Sequence, residues 1–180
     1  VARYRKLPVF SPGIVMEGGS IEVNGKGTLL TTSSCLLNKN RNPSLSRADI
    51  EARLMSAFGV QKINWLDHGY LAGDDTDSHI DTLARLCPNN TIVYTACDDE
   101  QDEHYVELKK MEAQLQSFTN ANGEPYRLLP LPWAGEVLGD ESDARLPSTY
   151  ANFLIINEAV LVPIYGLPMD EDALEVVSQA

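Results

Sequence analysis

The chain has 180 residues, of which 43% are hydrophobic and 22% are charged, and this balance indicates one folded domain rather than a disordered segment. Its net charge of −12 argues against nucleic acid as a partner, because phosphate backbones bind basic surfaces. No apolar run approaches the roughly 20 residues that cross a bilayer, and no signal peptide is found, so we expect a cytoplasmic protein without membrane partners. The first residue is Val1 rather than methionine, so we expect the natural N-terminus to lie upstream.

The first predicted elements form a β-hairpin near the N-terminus. Residues 15–23 predict its first strand, Asn24-Gly25 a favoured tight turn, and residues 28–32 the returning strand. Glu17 stands at the entrance and is followed by Gly18-Gly19. Two glycines at this point indicate either a bulge or a close approach of the backbone to a ligand or another strand. An acidic residue beside such a point is well placed to reach a site.

The remaining elements repeat one order of strands and helices. Ser46 opens a helix with a capping-box pattern, and Gly59 ends it. A strand–strand–helix–strand order recurs along the chain, which predicts an α/β fold assembled radially, an α/β propeller. The predicted elements after the hairpin are a helix over 46–59, strands over 60–66 and 91–94, a helix over 103–118, strands over 126–131, 152–156 and 159–163, and a helix from Asp170.

The most informative segment is the acidic run 73–81, Gly-Asp-Asp-Thr-Asp-Ser-His-Ile-Asp. In an extended segment, residues two apart point to the same face, so His79 and Asp81 should face one site while Ile80 turns into the core. A histidine among carboxylates can act as a general acid or base near neutral pH, because the carboxylates stabilise its imidazolium form. Carboxylates also suit a planar cation with several N–H donors, such as a guanidinium.

Three cysteines, Cys35, Cys87 and Cys97, are odd in number and lack the spacing of paired zinc ligands. We expect them to be reduced and mostly buried. Cys97 is the best placed of the three for a nucleophile, since it ends a predicted strand. The acidic residues 98–100 that follow it would raise its thiol pKa and so reduce its reactivity.

Other polar and aromatic residues are expected to have structural roles. Trp65 should lie in the core, whereas His68 and His104 should lie at the surface, one in a turn and one in the acidic first turn of a helix. The polar run 38–43 could contact a substrate, but a solvated loop after a strand is the more common case.

Several motifs follow one another in an order that a known family shares. They are Glu17-Gly-Gly-Ser-Ile, Gly27-Thr-Leu-Leu-Thr-Thr, Cys35-Leu-Leu-Asn-Lys-Asn-Arg-Asn-Pro43, Thr76-Asp-Ser-His-Ile-Asp81, Leu83-Ala-Arg85, Tyr150-Ala-Asn-Phe153 and Val160-Leu-Val-Pro163. The chain resembles the agmatine deiminases and the related bacterial-type peptidyl-arginine deiminases of the guanidine-modifying, or pentein, superfamily. The resemblance runs from about Ile14 to Asp172. It departs at Ser78, where the family usually has glycine.

The resemblance implies a fold and a reaction. The fold would be a propeller of five units around a central site, with two whole units (about 14–69 and 76–133) and an incomplete third (148–180) in this chain. We therefore expect residues 1–180 to be part of a single catalytic domain. The reaction would be hydrolysis of a guanidinium to a ureido group and ammonia through a cysteine nucleophile. That cysteine, and a second substrate-binding aspartate, would lie outside residues 1–180, so this chain alone should be inactive.

The same resemblance assigns roles to individual residues. His79 would be the catalytic acid and base, and Glu17 its carboxylate partner. Asp81 would bind the guanidinium nitrogens, and Asn152 would line the substrate. No cofactor and no metal is implied. The preferred substrate is agmatine, converted to N-carbamoylputrescine in putrescine biosynthesis, with arginine in proteins, converted to citrulline, as the alternative.

Two readings from other classes stay open. A metal-dependent hydrolase could use His79, Asp81 and Glu17 as ligands, although this set lacks the second histidine usual at zinc sites. A binding module could keep the pocket without the nucleophile. The chain could also belong to a homo-oligomer.

Overall fold

The computed structural model describes residues 2–139 and 144–180 as a mixed α/β structure of small sheets and five helices. The strands are β1 Ile21–Val23, β2 Thr28–Thr32, β3 Lys62–Leu66, β4 Ala84–Cys87, β5 Thr91–Thr95, β6 Arg127–Leu131, β7 Val137–Leu138, β8 Arg145–Leu146, β9 Leu154–Ile156 and β10 Ala159–Leu161. The helices are α1 Ala2–Arg5, α2 Ser33–Leu36, α3 Arg47–Phe58, α4 Tyr105–Ser117 and α5 Asp170–Ser178.

Two three-stranded sheets share one topology. In each sheet the first strand pairs antiparallel with the second, and the second pairs parallel with the third: β1-β2-β3 in one sheet and β4-β5-β6 in the other. The parallel crossovers contain α3 and α4, as a parallel connection requires. The central strands β2 and β5 are buried along their whole length. The predicted strand–strand–helix–strand order is thus present twice, although β4, the first strand of the second sheet, was not among the predicted strands.

A third group begins in the same way. The antiparallel hairpin β9-β10 is followed by α5, as the sequence predicts. The assignment of all three groups to one propeller domain, with five units and a closed ring, stays a prediction. A short hairpin, β7-β8, was not foreseen, and its connection (140–143) lies outside the described residues.

The predicted helix α3 has the termini that its sequence indicates. The Ser46 hydroxyl accepts from the Asp49 amide, and the Asp49 carboxylate accepts from the Ser46 amide, which completes the capping box. Gly59 ends the helix in the left-handed conformation at φ 66°. Ile50 and Leu54 on its inner face are fully buried, and Trp65 is buried in the same core cluster, as expected.

The expectations about the first strand and about His104 were wrong. The first strand does not span 15–23, because Gly18–Ser20 forms a turn of 3-10 helix and the strand is only Ile21–Val23. The backbone amide and the hydroxyl of Ser20 both donate to the carbonyl of Glu17, which closes that turn.

His104 is buried rather than exposed. Its Nδ1 lies 2.6 Å from an Asp102 carboxylate oxygen, and its Nε2 accepts from the Ala72 amide at 2.8 Å. A histidine with both ring nitrogens partnered can be buried without an orphaned polar group. His104 therefore ties the start of α4 to the segment that leads to His79. Within the described residues, no helix is both long and apolar enough to cross a membrane.

Candidate active site

His79 and Glu17 form the first pair of residues in the site. Glu17 lies just before β1, and His79 lies in the acidic segment before β4. His79 Nε2 lies 3.7 Å from a carboxylate oxygen of Glu17. That distance is too long for a hydrogen bond, and His79 Nε2 is buried with no hydrogen-bond partner in the described part of the chain. The Glu17 side chain is 44% exposed, so one side of the pair is open to solvent. A buried, unpartnered imidazole nitrogen beside a carboxylate is ready to bind a proton or a donor from a ligand.

Gly19 explains the pair of glycines after Glu17. A Cβ at Gly19 would lie 2.5 Å from Asp81 Oδ2 and 2.7 Å from His79 Nδ1, closer than real Cβ contacts. A Cβ at Gly18 would meet nothing within 4 Å. The sequence predicted either a bulge or a close approach of the backbone at these glycines. The structure shows a close approach, of the Gly19 backbone to the side chains of His79 and Asp81. The glycine backbone forms a surface against which both side chains pack.

His79 and Asp81 face the same place, but for a different reason from the predicted one. The segment is not extended, because Ile80–Thr82 forms a turn of 3-10 helix with His79 as its N-terminal neighbour. Ile80 is fully buried, as expected. Burial raises the pKa of Asp81, and the opposing effects of His79 and Arg85 do not cancel it, so the carboxyl group is partly desolvated.

Arg41 is the residue of the site that sequence reasoning missed. Its side chain is only 9% exposed, and its Nε donates to both carboxylate oxygens of Glu17 at 2.9 and 3.0 Å. Its Nη1 donates to Asp77 at 2.5 Å, and its Nη2 donates to the Thr76 carbonyl at 3.0 Å. Burial lowers the pKa of Arg41, but the hydrogen bonds to Glu17 and Asp77 raise it overall. Within the run 38–43, Arg41 is therefore buried and not part of a solvated loop.

The turn before His79 has an unusual backbone. Asp77 and Ser78 have φ values of 63° and 60°, the left-handed conformation that favours glycine. This accounts for the family's usual glycine at the position of Ser78. The Ser78 amide donates to Asp74 Oδ2 at 2.7 Å.

Cys35 lies next to the site. One ligand atom each of Glu17, Cys35 and His79 lies within 4.8 Å of the others, and this is the one group within the described residues that could hold a metal ion. Asp81, a member of the predicted metal set, is not part of it. The thiol is fully buried and burial raises its pKa to about 11, so it is a poor nucleophile. Burial raises the thiol pKa of Cys97 and Cys87 as well, Cys87 to about 11.

Arg85 links the site to the third group of elements. Its Nε lies 3.2 Å from Glu22 on β1, and its Nη1 donates to the carbonyls of Ala151 and Phe153 at 3.0 and 2.6 Å. Asn152 lies exposed between those two residues, and its role in lining the substrate stays a prediction.

Comparisons with known proteins define the class. Residues 1–180 match the sequence model of the Porphyromonas-type peptidyl-arginine deiminases, and the chain belongs to this family. It is 36% identical to an agmatine deiminase of Medicago truncatula over 97% of this chain and 51% of the relative. It is 38% identical to an agmatine deiminase of Stutzerimonas stutzeri over 98% of this chain and 51% of the relative.

Solved structures show the same likeness. The chain superposes on the C. jejuni agmatine deiminase with substrate bound with a TM-score of 0.88 and 43% identity, over 97% of this chain and 50% of that one. It superposes on the Enterococcus faecalis agmatine deiminase with a TM-score of 0.86 and 30% identity, over 99% of this chain and 53% of that one. The chain spans about half the length of the relatives it matches.

Proposed function

We propose that the protein containing this chain is a deiminase that hydrolyses a guanidinium to a ureido group and ammonia, with agmatine as its substrate. The observation that carries the proposal is the convergence of His79 and Asp81 on the backbone of Gly19, beside Glu17. An imidazole and two carboxylates in one place can both bind a guanidinium and move protons. The relatives named agmatine deiminase support the choice of substrate.

His79 would act on both halves of the reaction. A cysteine thiolate from outside residues 1–180 would attack the guanidinium carbon, and His79 would donate a proton to the departing ammonia. It would then take a proton from the water that releases the product. Glu17 would stabilise the protonated imidazole through its negative charge, 3.7 Å from Nε2. Neither step needs a metal or another cofactor. We also propose that the enzyme lies in the cytoplasm.

Asp81 would bind the nitrogen atoms of the substrate guanidinium. Its carboxyl group is partly desolvated, which raises its pKa, so a cationic ligand would strengthen its ionised form. Charge-assisted hydrogen bonds from a planar guanidinium fit a carboxylate better than those from a simple ammonium ion. The site therefore selects the chemical class of the substrate.

Agmatine and protein arginine share the guanidinium and differ at the far end, a free amine in one and a peptide backbone in the other. The intact protein should release ammonia from agmatine with a higher kcat/KM than from a peptide that contains arginine. Preference for the peptide would make the protein a peptidyl-arginine deiminase. The isolated 180-residue chain should release ammonia from neither, and release at the intact protein's rate would disprove an external nucleophile.

The metal-dependent hydrolase has less support. Both carboxylate oxygens of Glu17 already accept hydrogen bonds from Arg41, so a metal ion would compete with a buried guanidinium for this ligand. Activity that survives dialysis against a chelator would agree with the deiminase. Loss of activity on dialysis, with recovery on addition of zinc or manganese, would favour the hydrolase.

A further inference from the structure

We propose that Arg41 is a positioning residue of this site: it fixes the Glu17 carboxylate beside His79 and holds the left-handed turn from which His79 projects. The effect on turnover rests on the function proposed above, whereas the effect on the structure of the turn does not. Arg41 would act through Glu17 and the segment 76–79.

The geometry of the Arg41 guanidinium supports its role in fixing the Glu17 carboxylate. Each of the three nitrogen atoms of Arg41 has its own partner: Nε binds Glu17, Nη1 binds Asp77 and Nη2 binds the carbonyl of Thr76. A planar fork with fixed donor directions sets the positions of its acceptors relative to one another. Glu17 precedes β1 and the segment 76–79 precedes β4, so Arg41 joins the two halves of the site.

The backbone of the turn before His79 supports the role of Arg41 in holding that turn. Left-handed φ values at Asp77 and Ser78 are strained for residues with side chains, and such strain persists only where the surroundings impose it. Arg41 supplies a charged hydrogen bond at this turn, which is stronger than a neutral one. Uncharged donors also bind the turn, among them Asn40 Nδ2 to the Asp77 carboxylate, Ser34 Oγ to the Asp77 carbonyl, Thr32 Oγ1 to the Ser78 carbonyl and the Ser78 amide to the Asp74 carboxylate.

The burial of Arg41 separates it from an ordinary surface ion pair. Exposed pairs contribute little, because two mobile side chains must be held in one geometry. The Arg41 side chain is 9% exposed and all its interactions converge on one small region. Its loss would release Glu17, which is 44% exposed and free to turn into solvent, and would remove the cationic donor from the turn.

The matched variants for the test are Arg41→Lys, Asp77→Asn and a control. Arg41→Lys keeps the positive charge but cannot bridge Glu17, Asp77 and Thr76 together. Asp77→Asn weakens the same contact from the other side, because a neutral acceptor replaces the charged one, and it serves in case the arginine variant folds poorly. Arg127→Ala is the control, since Arg127 is exposed on β6 and its Nη1 donates to the Gln179 carbonyl, outside the proposed site.

Hydrogen–deuterium exchange of residues 74–79 in the intact protein measures the structural part. In Arg41→Lys and Asp77→Asn we expect exchange of this segment to be faster by about tenfold or more, with α3 and α4 unchanged. In Arg127→Ala we expect the wild-type rate. Wild-type exchange at 74–79 in Arg41→Lys and Asp77→Asn would overturn the proposal whatever the activity. If the wild type deiminates neither agmatine nor peptides, the proposed function is wrong. The exchange measurement would still test the structural role of Arg41.

Turnover measures the functional part. A misplaced acid–base group lowers the rate of the bound complex, so both variants should lose about tenfold or more in kcat with a smaller change in KM. Glycine adopts the left-handed conformation without strain, so Ser78→Gly in the Arg41→Lys background should recover part of the lost kcat. No recovery would contradict a role for Arg41 through the turn, and an unchanged kcat in Arg41→Lys would contradict positioning altogether.

Discussion

The backbone of Gly19 is in contact with the side chain of Asp81, and a Cβ at Gly19 would lie 2.5 Å from Asp81 Oδ2. The two residues are far apart in the sequence, and the contact brings the turn before β1 against the turn before β4. The same point on Gly19 faces His79 Nδ1. The positions of both proposed functional side chains therefore depend on the absence of a side chain at this residue.

Gly19→Ala should lower kcat/KM of the intact protein by about tenfold or more, because Asp81 and His79 must move to admit the methyl group. The matched variant is Gly18→Ala, where a Cβ meets nothing within 4 Å. We expect Gly18→Ala to keep wild-type kcat/KM and both variants to keep the wild-type circular dichroism spectrum. Equal activity of the two alanine variants would show that the contact has no functional consequence.

Asp81→Asn should lower kcat/KM for a guanidinium substrate by about tenfold or more. The amide keeps the shape of the side chain, but a neutral acceptor replaces a charged one, and hydrogen bonds to charged groups contribute about 1.5–3 kcal/mol. Asp75→Asn is the control, since Asp75 lies exposed in the same acidic segment. Steady-state ammonia release measures both variants, and a comparable loss in Asp75→Asn would mean that general charge, not Asp81, attracts the substrate.

Arg85→Met should lower the free energy of unfolding by about 3–5 kcal/mol, because it leaves Glu22 buried without its partner. Burial already raises the pKa of Glu22, and Arg85 opposes that rise. The variant should therefore fold most easily when Glu22 is protonated. Its loss of unfolding free energy relative to the wild type should become smaller as the pH is lowered from about 7 to about 5. Chemical denaturation at the two pH values measures this, and a deficit that grows on acidification would contradict it.

The Arg41 contacts should weaken only in acid. Hydrogen bonds from Arg41 lower the pKa of Glu17 and of Asp77, where Asn40 adds to the effect. A carboxylate whose pKa is lowered by folding stabilises the fold above its unfolded pKa, about 3.9 to 4.3, and this contribution is lost as the pH falls through the folded value. Protection factors of residues 74–79 should thus be constant from about pH 7 to about pH 5 and fall below about pH 4. A steady decline between pH 7 and pH 5 would assign the protection to other groups.

Most of the elements followed from local sequence signals. The capping box at Ser46, the left-handed Gly59 and the buried strands are each specified by residues within a few positions of one another. The strand before Asn24 was predicted too long, because the closing of a turn by Ser20 onto Glu17 competes with an extended backbone.

The site was only partly predictable, because its contacts are long-range. Glu17, His79 and Asp81 carry recognisable chemistry in recognisable motifs, and the structure brings them together. Arg41 stood in a polar run with no sign of its partners, which lie 24 and 36 positions away in the sequence. His104 was misplaced for the same reason, since its partner Ala72 comes from a distant loop.

Ammonia release from agmatine by the intact protein and its His79→Ala variant tests whether His79 is the acid–base group of a guanidinium hydrolase. We expect turnover in the wild type and a loss of about a hundredfold or more in the variant, with an unchanged fold, since general acid–base catalysis contributes at least that much. His68→Ala, which removes a half-exposed histidine beside Glu107, should keep wild-type turnover. Wild-type rates in His79→Ala would show that His79 is not the acid–base group.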